Sequence, residues 1–194
     1  MIYLASNSPR RQELLSQIGV QYELFLPDNQ LEVVDETPHH NEDPIHYVTR
    51  VARAKAMVSW SRLIQLNKPL YPLLAADTTV TINNSILGKP QDKTEAQQFL
   101  KLLSGQKHMV LTAIACCFKD QLLEKLSVSY VSFKSLTQQD IEWYIESGEY
   151  KDKAGGYALQ GLAASFVTHI EGSPSGIIGL PLYETSELLN TILI

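Results

Sequence analysis

Apolar and polar positions change period several times along the chain, and each change marks an element. Ile2-Tyr3-Leu4-Ala5 is a continuous apolar run, followed at once by the polar Ser6-Asn7-Ser8-Pro9-Arg10-Arg11. Leu14, Leu15 and Ile18 then fall at helical spacing, and Gly19 supplies a stop. This predicts a strand, a tight polar loop and a helix, with Ser8 as N-cap and Pro9 at the first helical position. A second helix is expected from Ile45 to about Ser59, with Val48, Val51, Ala52 and Val58 inward, approached through the loop His39-His40-Asn41-Glu42-Asp43-Pro44. Leu73 to Ile82 reads as a strand, and Asn83-Asn84-Ser85 as a hairpin turn into Ile86-Leu87.

Asp92 and Glu95 resemble a capping box before a helix from Ala96 to Leu103, ended by Ser104-Gly105. His108 to Phe118 and Leu122 to Phe133 look like a strand pair joined at Lys119-Asp120. Thr137 caps a helix to about Glu146, Ala164 to Ile170 reads as a strand, and Pro181 opens a last helix to about Leu193. Strands and helices alternate at first, and a hairpin-rich stretch follows. That order predicts a mixed α/β sheet rather than a purely parallel one, built as a single domain over residues 1–194.

Composition narrows the function. Hydrophobic content of 44% and charged content of 19% over 194 residues suit a globular chain with a sizeable core. No segment approaches the roughly 20 apolar residues of a membrane span. The start lacks the pattern of a signal peptide, so a cytoplasmic protein is expected. A net charge of −5 argues against a general nucleic-acid binder, which needs an extended basic face. A small phosphorylated ligand needs only a local basic pocket. Cys116 and Cys117 are adjacent in a strand-like run, would point to opposite faces, and read as packing residues. His39 and His40 lack a matching partner pattern for metal ligation.

The segment Ser8-Pro9-Arg10-Arg11 is the first candidate for chemistry. A helix N-terminus with hydroxyls and a guanidinium pair suits phosphate, although an ordinary capped helix with solvated arginines has the same letters. Asp77 ends the apolar Leu73-Leu74-Ala75-Ala76, where a strand-end carboxylate opens either into a cleft or into a capped turn. With an ordinary pKa of about 3.9 it is a poor base for water alone. A divalent cation, which lowers the pKa of bound water from about 15.7 to about 7–9, would do most of the activation. Asp35 and Glu36 offer hard oxygens of the kind that hold Mg²⁺ or Mn²⁺. Lys55 and Lys89 are lone lysines, a type usually solvated. No Gly-x-x-x-x-Gly-Lys-Ser/Thr motif occurs, which disfavours a P-loop kinase or ATPase.

Further blocks follow in order: Ala52-Arg53-Ala54-Lys55-Ala56, Ala76-Asp77-Thr78, Gly88-Lys89-Pro90, Ser104-Gly105-Gln106-Lys107-His108, Thr112-Ala113, Asp152-Lys153-Ala154-Gly155-Gly156-Tyr157, Gln160-Gly161 and Gly179-Leu180-Pro181. From Ser6 to about Leu182 this ordered set closely resembles the Maf family of nucleoside triphosphate pyrophosphatases. The resemblance implies a mixed sheet with helices around a central cleft, related to inosine triphosphate pyrophosphatases. It implies conversion of a nucleoside triphosphate to the monophosphate and pyrophosphate, with Asp77 as proton acceptor. It places Glu36 and Asp77 at a divalent metal, with Asp35 as a competitor, and Ser8, Arg11, Lys55 and Lys89 at the phosphates. Arg10, Thr78 and Gln160 stand where the family branches differ, and here they look like the dTTP/UTP branch. A Gln amide has both a donor and an acceptor for a uracil or thymine edge, whereas a Glu would better read guanine.

Departures are modest. Gly156 replaces a usual Ala, Ser173-Pro174-Ser175-Gly176 stands where aromatics are frequent, and the loop Asn29 to Glu36 is slightly long. The rival readings are a nucleotide-binding regulator of cell division and an inosine-triphosphatase-like enzyme. A homodimer is left open.

Overall fold

The computed structural model describes residues 1–27 and 34–192. The expected helix end at Leu193 and most of the Asn29–Glu36 loop lie outside the described residues. Among these described residues seven strands form one mixed sheet: β1 (Ile2–Leu4), β2 (Tyr22–Leu24), β3 (Leu73–Ile82), β4 (Ser85–Leu87), β5 (Lys107–Phe118), β6 (Gln121–Phe133) and β7 (Val167–Glu171). Their order is β2-β1-β3-β5-β6-β7, with β4 paired to β3. β1 runs parallel to β2 and β3, and the remaining pairs are antiparallel. Among the described residues six α-helices flank it: α1 (Pro9–Gln17), α2 (Pro44–Gln65), α3 (Lys93–Leu103), α4 (Gln138–Ser147), α5 (Pro174–Ile178) and α6 (Leu182–Ile192).

The strand alternation divides the core. Leu73, Ala75, Ala113 and Ala115 pack under Val48, Val51 and Ala52 of α2. Leu74, Ala76, Ile114 and Cys116 pack on the other face with Leu14, Leu15, Leu188 and Leu189 of α1 and α6. Cys117 joins the α2 side and Cys116 the opposite one, both buried and free, as period-2 geometry requires. Burial pushes the Cys116 thiol up to about 12, so it stays protonated and inert.

Local chemistry explains the boundaries. Asp43 accepts from the Ile45 and His46 amides and starts α2. Asn83 and Asn84 both have positive φ, 51° and 62°, the conformation a two-residue hairpin turn demands. Thr137 and Asp140 form a reciprocal capping box on α4. The α3 box is half of one: Asp92 accepts from the Glu95 amide, while Glu95 reaches past it to the Gln91 amide.

Three expectations need correction. Ser8 has N-cap backbone geometry, but its hydroxyl makes no capping bond. Val58 is 40% exposed rather than core, because it lines a cavity where α2 passes it. Residues Leu162–Phe166 form a 3-10 turn, and β7 starts only at Val167. That turn buries Ala163 and Phe166, three residues apart, which a strand cannot do on one face.

His108, 2% exposed, packs edge-on against Phe133 and Tyr157, with Nε2 2.7 Å from the Tyr157 hydroxyl. Burial lowers its pKa from 6.5 to about 4. Between those values the unfolded chain holds one proton more than the folded one. Stability therefore falls as pH drops through that window and the loss levels off below it. The slope is about 1.4 kcal/mol per pH unit, up to about 3 kcal/mol in all. In urea unfolding at pH 7 and pH 4.5, His108→Gln is expected to lose less stability on acidification than the parent. Equal losses would mean that His108 does not carry the acid sensitivity.

Candidate active site

β3 pairs with β5 along almost its whole length, from Leu73 to Thr81. On its other edge β1 covers only Leu73 and Leu74, and β4 only Val80 to Ile82. Among the described residues no strand covers 75–79 between them. The chain leaves β1 at this gap, with the Ala5 amide bonded to the Leu74 carbonyl, and turns into α1. Asp77 therefore lies in the middle of β3, not at its end. The cleft is made by the neighbouring strand stopping short, a feature invisible in the local pattern. A cavity of about 1250 Å³ opens here, room enough for a nucleoside triphosphate.

Alternation sends Asp77 to the α2 face and Thr78 to the opposite one. On α2, Lys55 follows Val48, Val51 and Ala52 at positions i+7, i+4 and i+3, so it shares their inward face. Its ammonium donates to Asp77 Oδ1 at 2.8 Å and also lies 2.8 Å from Glu36 Oε1. The segment carrying Glu36 is tied to the same helix: the Tyr47 hydroxyl donates to the Glu36 carbonyl, and Arg50 to the Thr37 carbonyl. Asp35 is exposed and outside the cavity, its carboxylate accepting from the Thr37 amide. Of the two acids, geometry brings Glu36 to the site. Asp77 is 6% exposed. Burial raises its carboxyl above the ordinary range, opposed by the charges of Lys55 and Arg11.

On the other face Arg11 is held by three acceptors. It donates through Nε to the Gly179 carbonyl (2.8 Å), through Nη1 to Ser6 Oγ (3.0 Å) and through Nη2 to Thr78 Oγ1 (3.2 Å). The Thr112 hydroxyl stands 2.8 Å from the Gly176 carbonyl and 2.9 Å from Thr78 Oγ1. Thr112 is the donor in both contacts and shares its one hydroxyl proton between the Gly176 carbonyl and Thr78. Thr78 Oγ1 therefore accepts from both Arg11 and Thr112, at the wall of the cavity.

Ser8, Arg10, Arg11, Glu36, Lys55, Asp77, Thr78, Lys89 and Gln160 all line this one cavity. Val80, Phe99, Val110, Tyr157, Leu159 and Ile177 give it an apolar part suited to a base or sugar face. Thr112 and Lys153 were quoted within sequence blocks but given no role. Their signal was present, yet only the fold shows that they reach the site or its supports.

Two carboxylate oxygens sharing one ammonium lie at most twice 2.8 Å apart. Hard oxygens at that separation suit a divalent cation that takes its remaining ligands from phosphate and water. No larger group of His, Cys, Asp and Glu suited to a metal occurs among the described residues.

Residues 1–192 match the family described as Maf-like protein. The dTTP/UTP pyrophosphatase of Nitrosomonas europaea is 49% identical over 191 residues, covering 97% of this chain and 92% of that protein. The protein of the same name from Burkholderia orbicola is 50% identical over 196 residues, covering 98% and 92%. A HAM1 protein from Coxiella burnetii shares the fold, with a TM-score of 0.50 at 19% identity over 98% of both chains. With a match across nearly its whole length and relatives at about half identity, the chain belongs to the Maf family.

Proposed function

We propose that this protein hydrolyses dTTP and UTP to the monophosphate and pyrophosphate. The observation that carries the reading is the cluster Glu36–Lys55–Asp77, set in the gap of the sheet and inside a cavity lined by cations. The names of the relatives add the base preference.

In this reading Asp77 orients the attacking water and accepts its proton, a task that its raised pKa favours. Water adds to the α-phosphorus as the bond to the bridging oxygen of the β-phosphate breaks. Lys55 holds the two carboxylates in register and faces the reacting phosphate. Arg11, fixed by Ser6, Thr78 and Gly179, presents its charge without having to be ordered on binding. Glu36 and Asp77 would hold a divalent metal ion, Mg²⁺ or Mn²⁺, which when bound neutralises phosphate charge and lowers the pKa of water. Gln160, at the rim after Tyr157, meets the pairing edge of the pyrimidine. The protein acts on a free nucleotide, and no described helix is long and apolar enough to cross a membrane.

The test is pyrophosphate release across a panel of triphosphates. We expect dTTP and UTP to exceed inosine and 7-methylguanosine triphosphates in kcat/KM. A preference for inosine triphosphate would overturn the base assignment. Absence of turnover with any triphosphate would favour the non-catalytic regulator.

A further inference from the structure

The cations of the cavity fall into two groups. Arg11 and Lys55 are committed to protein partners: Arg11 to Ser6, Thr78 and Gly179, and Lys55 to Glu36 and Asp77. The others are not. Among the described residues Arg10 and Lys89 have neither a hydrogen bond nor an ion pair. Lys153 reaches only the Lys151 carbonyl, at 3.4 Å. All three line the same cavity, from the start of α1, the loop after β4 and the turn before Tyr157.

Lys153 and Lys89 are also yoked by backbone. The Gly155 amide donates to the Gly88 carbonyl at 3.0 Å, and the Gly156 amide to the Lys153 carbonyl at 2.9 Å. Gly155 has φ +66°, and a Cβ there would come within 2.9 Å of the Val80 side chain. Only glycine lets the turn seat this closely on β3, so the position of Lys153 relative to Lys89 is built in. Burial lowers the Lys153 pKa, and the charge of Arg10 lowers it further. Glu149 and Asp152 pull the other way without forming an ion pair with it. Uncommitted like charges converging on one pocket are stabilised by an anion between them. A neutral pyrimidine offers no such charge, and Lys55 and Arg11 already face the reacting phosphate. The unserved part of the substrate is the distal end of its polyphosphate.

We propose that Lys153, beside Lys89, forms the subsite that holds the β- and γ-phosphates and stabilises pyrophosphate as it leaves. This rests on the pyrophosphatase reading above. When the α-phosphorus bond breaks, its electron pair goes to the bridging oxygen, and the added charge on pyrophosphate is met by the Lys153 ammonium. The residue moves no proton.

The experiment compares full-length Lys153→Met and Lys153→Arg with the parent. It measures product inhibition of dTTP hydrolysis by inorganic pyrophosphate and, separately, by dTMP. Lys153→Met is expected to raise the pyrophosphate inhibition constant about tenfold or more, with dTMP inhibition changing less than about twofold. Lys153→Arg keeps the charge and is expected to restore most of the pyrophosphate effect. Lys153→Gln serves as the neutral variant if the Met protein does not fold. Unchanged pyrophosphate inhibition in the neutral variant would overturn the proposal, as would equal weakening of both products. A parent enzyme that releases no pyrophosphate from any triphosphate would overturn the pyrophosphatase reading itself, and the subsite with it.

Discussion

Asp77→Asn lowers kcat for dTTP by about 10²-fold or more while the protein stays folded. The amide fills nearly the same volume, so the tight fit beneath α2 and opposite Ala113 is kept. Its Oδ1 still accepts from the Lys55 ammonium, and Glu36 remains on the other side of that ammonium. No buried charge is left unpaired, and the fold loses little. The chemistry loses more, because an amide does not take a proton from water and is a poor ligand for a hard cation. The measurements are kcat by pyrophosphate release and the thermal midpoint of the purified variant. A folded variant with near-parental kcat would remove Asp77 from the mechanism.

Gln160→Glu reduces kcat/KM for dTTP and UTP by about 10²-fold. Gln160 is exposed at the cavity rim, so the substitution places no charge in a packed interior and stability should hardly change. A pyrimidine edge presents carbonyl oxygens O2 and O4 around one N–H. Replacing the amide donor with a carboxylate sets negative charge against those oxygens and removes a hydrogen bond. Arg10 and Thr78 are unchanged, so the single substitution is not expected to create good use of 7-methyl-GTP. The check is kcat/KM for all three nucleotides on both proteins. Unchanged ratios would show that Gln160 does not read the base.

Much of this architecture was legible because local chemistry and tertiary context agree. Leu73–Ile82, the Asn83-Asn84 turn and the Thr137 cap need little beyond period and turn type, and they fall where the pattern puts them. The inward aim of Lys55 is also written in its spacing from Val48 and Val51. What it touches is not, because Asp77 lies 22 positions away and is brought to it only by packing α2 on β3. Asp77 looked like a strand end because its apolar run stops there. In the fold β5 continues to pair the strand, and the opening comes from the short β1. The apolar stretch before β7 misled for a related reason. Phe166 is buried by a 3-10 turn against Phe133 and Tyr144, and a short apolar run does not reveal which period will be used. Lys153 stands in the Asp152–Tyr157 block, but its letters alone assign it no role. What the fold adds is the Gly155–Gly88 hydrogen bond, which ties its turn to the segment that carries Lys89.

The central claim is that water attacks the α-phosphorus at the Glu36–Lys55–Asp77 cluster. Hydrolysis of dTTP in water enriched in heavy oxygen, followed by phosphorus NMR and mass spectrometry of the products, tests it most directly. The account predicts dTMP carrying the label and unlabelled pyrophosphate. Labelled orthophosphate together with dTDP would place the attack at the γ-phosphorus and contradict it.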